Sequence, residues 1–365
     1  MGQKIEDWEV IKSFLPEGWE EKARESGAFQ RTRGVRSPED LLRILLIHVG
    51  VGFSLKESVL RAELLGLGKL SSVCLHNRLK ASEEWLRWLA EAMWRERGKG
   101  LAGGEMRVRA VDATVVSEPG STGTNWRVHY AVNLHNLQCD FFELTGAEGG
   151  ETWRRVPVEP GDVLIGDRGY SHAEGIASVL KAEGDVIVRL NHTSLPLWSG
   201  EGERLDVLAQ ARGLKVLQLK EREAWVRDGK GNLWKGRLVL LRKSRESARA
   251  TMEKIVKAAR KKKKKVTLRR LRAAFYIFIW TSLGEEWSTQ QVLEWYRLRW
   301  QIELVFKRMK SLLGLGHLPK KDPQTARGWL HGKIFISLLV ERLLAEAEAF
   351  SPWGYRLPDK PQQVA

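Results

Sequence analysis

Residues 163–190 read VLIGDRGYSHAEGIASVLKAEGDVIVRL, and this stretch decides the fold class. It begins with a short apolar run at 163–165, turns at Asp167, and then carries a helical pattern over 171–180. A second apolar run follows at 185–190. The order strand, helix, strand predicts two strands of one sheet with a helix packed against them.

Strand patterns also precede this stretch. Apolar and β-branched residues cluster at 106–112, 128–134 and 141–144, which is typical of strands. Asp112 closes the first of these runs, just as Asp167 closes the run at 163–165. Three strands followed by strand, helix and strand predict an α/β protein with a mixed sheet and helices packed on it.

The flanking segments have different patterns. The first hundred residues predict short helices joined by tight turns, which suit a helix-turn-helix DNA-binding bundle and equally suit any small helical domain. We therefore divide the chain into a helical N-terminal domain (1–100), an α/β core (105–190 and 276–315), a β-rich insertion with a basic stretch (191–275), a C-terminal helix (316–350) and a disordered tail (351–365).

Charge indicates the kind of partner. The chain has 61 Lys and Arg against 45 Asp and Glu, a formal net charge of +16. A surplus of this size favours binding to a polyanion, most commonly nucleic acid. The 16 Trp side chains could stack on bases, although Trp is mostly buried in proteins. On charge alone, a basic enzyme without a nucleic-acid partner stays open.

Cysteine content and the absence of certain motifs further limit the class of protein. Cys74 and Cys139 match neither a disulfide framework nor a zinc pattern, and the chain shows no signal peptide and no apolar run long enough to span a bilayer. We expect a soluble protein of the reducing cytoplasm. The phosphate-cradling Gly-x4-Gly-Lys-Ser/Thr loop is missing, so we expect no nucleotide cofactor.

The segment 295–310, WYRLRWQIELVFKRMK, is the most specific signal in the chain. We predict one long helix that begins near Ser288 and ends near residue 313. One stripe of it would carry an aromatic ring, cations and a single carboxylate, namely Tyr296, Arg299, Glu303, Lys307 and Lys310. Taken alone, this stripe could also be a solvated surface with spaced ion pairs.

The spacing Tyr-x2-Arg-x3-Glu-x6-Lys at Tyr296, Arg299, Glu303 and Lys310 resembles the signature of the insertion-sequence-4 family of cut-and-paste transposases. VDAT at 111–114 is similar to the first-Asp motif of that family, and GDRGY at 166–170 to its second-Asp motif. The resemblance covers about residues 105–315. It implies an RNase H-like mixed-sheet catalytic core with a β-rich insertion, preceded by a helical domain and followed by a helical region.

The same resemblance implies the chemistry. Asp112, Asp167 and Glu303 would be the catalytic, metal-binding residues, holding two Mg²⁺ ions, with Mn²⁺ able to substitute. Magnesium prefers hard oxygen ligands. Paired ions can activate the attacking oxygen and stabilise the leaving one, which suits DNA cleavage and strand transfer.

We also predict residues that contact DNA. Tyr296, Arg299 and Lys310 would hold phosphates beside the cut. Trp300 would stack on an unpaired base, or else lie buried beside the helix. The remaining predicted contacts are Lys307 and the run Lys261, Lys262, Lys263, Lys264 and Lys265, for which a solvated surface is the alternative.

The predicted partner is double-stranded DNA, both the terminal inverted repeats of an element and the target, bound by a homodimer at the nucleoid, with no membrane. Two other functions stay open. A non-catalytic DNA-binding protein derived from such an element would show the loss of a triad carboxylate, and none is lost here. A structure-specific nuclease of the same fold would cut without strand transfer.

Overall fold

The computed structural model describes residues 7–97, 106–316 and 318–349. The predicted tail at 351–365 lies outside these residues. The N-terminal part is helical, and Ser37, Ser54 and Ser71 cap three of its helices by accepting a hydrogen bond from the backbone three residues on. Its helices are α1 (Asp7–Lys12), α2 (Trp19–Glu25), α3 (Pro38–Val51), α4 (Leu55–Leu64), α5 (Ser72–Ala81) and α6 (Glu83–Arg97).

A mixed eight-stranded sheet forms the centre, which confirms the predicted α/β class. Its strand order is β3-β2-β1-β4-β5-β12-β11-β8, with β1, β4 and β5 parallel and the other neighbours antiparallel. The strands are β1 (Val108–Val116), β2 (Trp126–Asn133), β3 (Cys139–Gly146), β4 (Val163–Gly166), β5 (Asp185–Arg189), β8 (Leu219–Glu223), β11 (Arg237–Arg242) and β12 (Tyr276–Thr281).

The two faces of this sheet are covered by different helices. Helix α7 (Ala173–Lys181) connects β4 to β5, and Ile176 packs with Leu164 and Val188 on one face. On the opposite face, Val292 packs with Ile165 and Ile187. Val292 belongs to α11 (Thr289–Leu298), which is followed by α12 (Trp300–Ser311). Helices α11 and α12 therefore cover the opposite face of the sheet from α7.

The segment predicted as one helix from Ser288 to about 313 is two helices that meet at Arg299. At this junction the Arg299 amide donates to the Tyr296 carbonyl at 3.2 Å, and the Ile302 amide donates to the Arg299 carbonyl at 3.3 Å. These are the three-residue hydrogen bonds of a tight 3₁₀ turn rather than of an α-helix. The prediction of an unbroken helix was wrong at this residue, which belongs to the predicted site.

The segment 191–275, predicted as a β-rich insertion, contributes two strands to the central sheet. Strands β8 and β11 extend the central sheet, because β11 is buried over its first four residues and pairs with β12 and β8 on its two sides. Strand β8 begins only at Leu219, since Leu217 has a left-handed backbone (φ 62°) that interrupts extended structure. A second, four-stranded sheet contains β6 (Leu197–Trp198), β7 (Arg204–Leu205), β9 (Trp225–Arg227) and β10 (Leu233–Trp234).

Helices occupy most of the basic stretch and the last described segment of the chain. Short helix α8 (Val207–Gln210) precedes α9 (Arg245–Lys261) and α10 (Leu268–Ala273), and the five lysines at 261–265 are exposed where α9 ends. Helix α13 (Pro323–Ala349) packs within the N-terminal helices, and its Glu341 accepts a hydrogen bond from Tyr130 of β2 at 3.0 Å. None of the described helices is long and apolar enough to cross a membrane.

Candidate active site

The strand register brings two of the predicted carboxylates side by side. In the parallel pair β1–β4, Ala110 lies opposite Ile165. Asp112 and Asp167 each follow two residues later, so they lie level with one another at the same end of adjacent strands. Neighbouring strands are about 4.8 Å apart, and residues level in register point to the same face. That face is the one covered by α11 and α12.

The turn after β4 holds Asp167 in place. Its side chain accepts a hydrogen bond from the Gly169 amide at 2.6 Å and caps the short 3₁₀ helix Arg168–Tyr170. Tyr170 is buried against Trp153, whose indole N–H donates to the Tyr170 carbonyl at 2.9 Å. The turn is therefore anchored to the core, and the Asp167 carboxylate is held at the strand end by local hydrogen bonding.

Asp112 has an unusual environment for an acid. Burial raises its pKa to about 7, the neighbouring carboxylate of Asp167 adds to the rise, and a hydrogen bond from the Ala113 amide at 2.8 Å opposes it. Like charges that lie close together disfavour joint ionisation. A cation between the two aspartates would relieve that repulsion, so their electrostatics fit a bound metal ion.

A third carboxylate beside the pair was missed from the sequence. Glu151, in the loop after β3, has a raised pKa because of burial and because of Asp167. A side chain at position 169 would collide with a Glu151 oxygen and its Cβ would lie 3.1 Å from an Asp167 oxygen, so both carboxylates flank Gly169. No motif surrounds Glu151 in the sequence, and only the folded loop reveals its position.

Arg299 lies between Glu303 and Asp112 and contacts both. The Arg299 guanidinium donates a hydrogen bond to Glu303 and lies 3.7 Å from an Asp112 oxygen. Among the described residues, no three Asp, Glu, His or Cys side chains converge closely enough to hold one metal ion. In this arrangement Arg299 lies between Asp112 and Glu303, and the three predicted carboxylates do not surround a common point.

The other predicted DNA contacts differ in their surroundings. Tyr296 is half-buried with Arg299 near its ring, at 5.9 Å from the ring centre. Trp300 is 49% exposed, so the prediction that it is buried beside the helix does not hold. Lys307, Lys310 and the lysines at 261–265 are exposed. Of these, Tyr296 and Trp300 line one cleft together with Arg299.

A buried ion network fixes the start of strands β1 and β4, which carry the predicted aspartates. Arg109 of β1 is 1% exposed and makes two hydrogen bonds to Asp140, at 2.8 and 2.9 Å. Asp162, just before β4, accepts two hydrogen bonds from Arg107, both at 2.7 Å, and one from Arg109 at 3.3 Å. This network ties β1 to β4 a few residues before Asp112 and Asp167, and so fixes their relative height.

Carboxylates at two strand ends with cationic side chains beside them suit an enzyme that acts on a phosphate backbone. The carboxylates can hold metal ions, and the cations can bind phosphates. The model of the transposase DDE domain family matches residues 103–339, which include Asp112, Asp167 and Glu303. The chain belongs to this family and is a DNA transposase.

Relatives with transposase names support this membership along almost the whole chain. The protein named as a transposase, InsL, of insertion sequence element IS186A in Escherichia coli (strain K12) is 33% identical over 96% of this chain and 98% of its own length. The transposase of element IS421 in Escherichia coli is also 33% identical, with the same coverage. A solved structure of the piggyBac transposase in a synaptic complex with hairpin DNA matches with a TM-score of 0.44 at 10% identity, over 93% of this chain and 74% of that one.

Proposed function

We propose that this transposase moves an insertion sequence by binding its terminal inverted repeats, cutting both DNA strands there and joining the freed 3′ ends to target DNA. The observation that carries the proposal is the level placement of Asp112 and Asp167 on one sheet face beneath the helices that supply Arg299 and Glu303. The sheet order agrees with an RNase H-like core, and the Tyr296-Arg299-Glu303-Lys310 spacing agrees with the insertion-sequence-4 family.

In this proposal Asp112, Asp167 and Glu303 hold two Mg²⁺ ions, or Mn²⁺ in their place. When bound, the ions would activate the attacking oxygen and stabilise the leaving oxygen at phosphorus. The donor set fits, because all three are carboxylates and the pKa of Asp112 is raised by burial and by its acidic neighbour Asp167. Glu303 is 57% exposed, so its side chain has room to turn toward the aspartates.

Arg299 has two roles in the proposal. Without DNA it pairs with Glu303 and Asp112. With DNA, its guanidinium binds a phosphate beside the cut instead. Its Nε is buried without a hydrogen-bond partner, so the pairing seen here leaves part of its donor capacity unused. Tyr296 and Lys310 would hold neighbouring phosphates, and two copies of the chain would hold the two element ends.

The proposal is tested with the purified chain, a plasmid target and a duplex that carries the DNA bordering the coding region. With Mg²⁺ we expect a double-strand break at the element end and covalent joining of its 3′ end to the plasmid. Neither product should form in EDTA, and no nucleotide should be needed. Cleavage without joining would instead indicate a structure-specific nuclease, and binding without either product a non-catalytic DNA-binding protein.

Binding of Mg²⁺ should depend on pH near neutrality. Asp112 must lose its proton to bind a cation, and its pKa is raised to about 7, so affinity should increase as pH rises through 7. Between pH 6 and pH 8 we expect about a tenfold gain, measured by calorimetry with release of a proton. Asp112→Asn should remove this dependence. An equal affinity at both pH values would contradict the assignment of Asp112 as a ligand.

The exposed lysines at the end of α9 should add to DNA affinity through their charge alone. Replacing Lys261 to Lys265 by Gln should flatten the plot of log affinity against log salt, by about 0.9 for each phosphate contact that is lost. Fluorescence anisotropy with a labelled duplex measures this slope. If the slope is unchanged, these lysines form a solvated surface rather than a DNA contact.

A further inference from the structure

Four cations without acidic partners lie beside the candidate active site. Arg168 directly follows Asp167, Arg189 ends β5, Lys243 follows β11, and Arg270 belongs to α10. Within the described parts of the chain, none of the four forms a salt bridge, whereas the buried arginines Arg109 and Arg237 do. Their shared feature is positive charge that no salt bridge among the described residues neutralises, although Asp167 lies near Arg168.

The sheet brings three of these cations to the edge that carries Asp167. Strands β4 and β5 run parallel with Gly166 opposite Val188, so Arg189 lies level with Asp167 and points to the same face. Arg189 itself lies opposite Ile279 of β12. The chain leaves β11 at this same edge, where the Lys243 amide donates to the Phe275 carbonyl at 2.9 Å.

A cleft of about 420 Å³ opens next to these residues. Arg168 and Arg270 line it together with Thr251 and with Asn191 and His192, whose side chains can donate hydrogen bonds. The Lys243 ammonium donates to the Thr251 hydroxyl at 2.9 Å, so this buried cation adjoins the wall of the cleft. Positive charge and hydrogen-bond donors together define a site for an anion.

Without a bound anion, the buried charges and hydrogen-bond donors around this cleft are energetically unfavourable. Lys243 is only 7% exposed, and its pKa is lowered to about 8 because of burial and because Arg189 and Arg168 are near. Arg189 Nε and His192 Nε2 are buried without hydrogen-bond partners. Burying cations and donors without partners is unfavourable, and a bound anion would supply both the charge and the acceptors.

We infer that Arg168, Arg189, Lys243 and Arg270 form a second phosphate site, which holds a backbone phosphate of the DNA strand at a distance from the bond being cut. This inference rests on the proposed function. DNA is favoured over a free phosphate ion because the site continues directly from the acidic edge: Arg189 also lines the cleft of Tyr296, Arg299 and Trp300. A strand leaving the carboxylates can therefore pass from one group of cations to the next.

Substitution at Arg270 tests the site with little risk to folding, because this side chain is exposed. The probe is a fluorescein-labelled duplex of the DNA bordering the coding region, titrated without divalent metal at about 50 to 200 mM salt. We expect Arg270→Gln to lower the slope of log affinity against log salt by about 0.9, and Lys243→Met to lower it by a similar amount. Arg154→Gln removes an exposed charge that pairs with Glu174, and should leave the slope unchanged.

A slope that stays at the wild-type value in both Arg270→Gln and Lys243→Met overturns the inference. A second outcome also overturns it: inorganic phosphate at constant ionic strength stabilises the wild type against unfolding but not Arg270→Gln, while the two proteins bind DNA with equal affinity. The site would then bind free phosphate rather than DNA. The two proposals fail in distinguishable ways: wild-type cleavage and joining with unchanged slopes removes only this site, whereas changed slopes without any cleavage or joining by the wild type remove only the catalytic proposal.

Discussion

Replacing Glu303 by Gln should abolish Mg²⁺-dependent cleavage of element-end DNA and leave DNA binding largely intact. The substitution keeps the size of the side chain but removes the charge that a divalent cation needs. A metal ligand contributes several kcal/mol of transition-state stabilisation, so we expect a loss of about a thousandfold or more in the cleavage rate. Cleavage of a labelled duplex under single-turnover conditions measures the rate, and anisotropy measures binding.

Two further variants make this result specific. Asp112→Asn should lose activity to a similar degree, because Asp112 lies at the centre of the acidic group. Glu285→Gln is the matched control, because Glu285 is an exposed acid in the loop after β12, at the opposite end of the sheet from Asp112 and Asp167. If Glu303→Gln cleaves as fast as Glu285→Gln, Glu303 is not part of the catalytic group.

Loss of the Asp162 carboxylate should destabilise the whole sheet. This side chain is 3% exposed and accepts hydrogen bonds from both Arg107 and Arg109, of which Arg109 is itself 1% exposed. Asp162→Ala would leave two guanidinium groups short of a partner inside the protein. Breaking a buried ion pair in this way costs about 3–5 kcal/mol in the free energy of unfolding, measured by urea titration with Trp fluorescence.

Glu159 provides the control for this second result. It contacts the same Arg107 at 3.3 Å, but its side chain is 74% exposed, so water screens the pair. Glu159→Ala should therefore cost less than about 1 kcal/mol. If the urea midpoints of Asp162→Ala and Glu159→Ala coincide, the buried network does not hold β1 to β4 in the way that we infer.

Much of the central architecture follows from local sequence patterns. The apolar runs ending at Asp112 and Asp167, and the helical pattern between Asp167 and β5, predict strands and a helix because burial on a sheet requires those periods. The edges of the sheet were harder to predict. Strand β8 is exposed at four of its five residues and so lacks an apolar pattern, and its place beside β11 depends on backbone pairing.

The candidate site, too, was predictable from the sequence only in part. Asp112, Asp167 and Glu303 were identified by the sequence motifs around them, whereas Glu151 has no motif and becomes visible only when its loop folds beside Gly169. The break at Arg299 was also missed, because the residues around it all suit a helix. That break matters, since it lies at the residue that contacts both Asp112 and Glu303.

Residue types at short, regular spacing were enough to predict the class of fold, the central strands and the three carboxylates that we propose as catalytic. Which charges meet depends on the folded chain. The fold places Asp112 level with Asp167, inserts Arg299 between Asp112 and Glu303, and brings Arg168, Arg189, Lys243 and Arg270 near one another without a salt bridge among the described residues. The physical reason is that electrostatic interactions depend on distance and burial in space, and residues far apart in the chain acquire both only when strand register and helix packing bring them together.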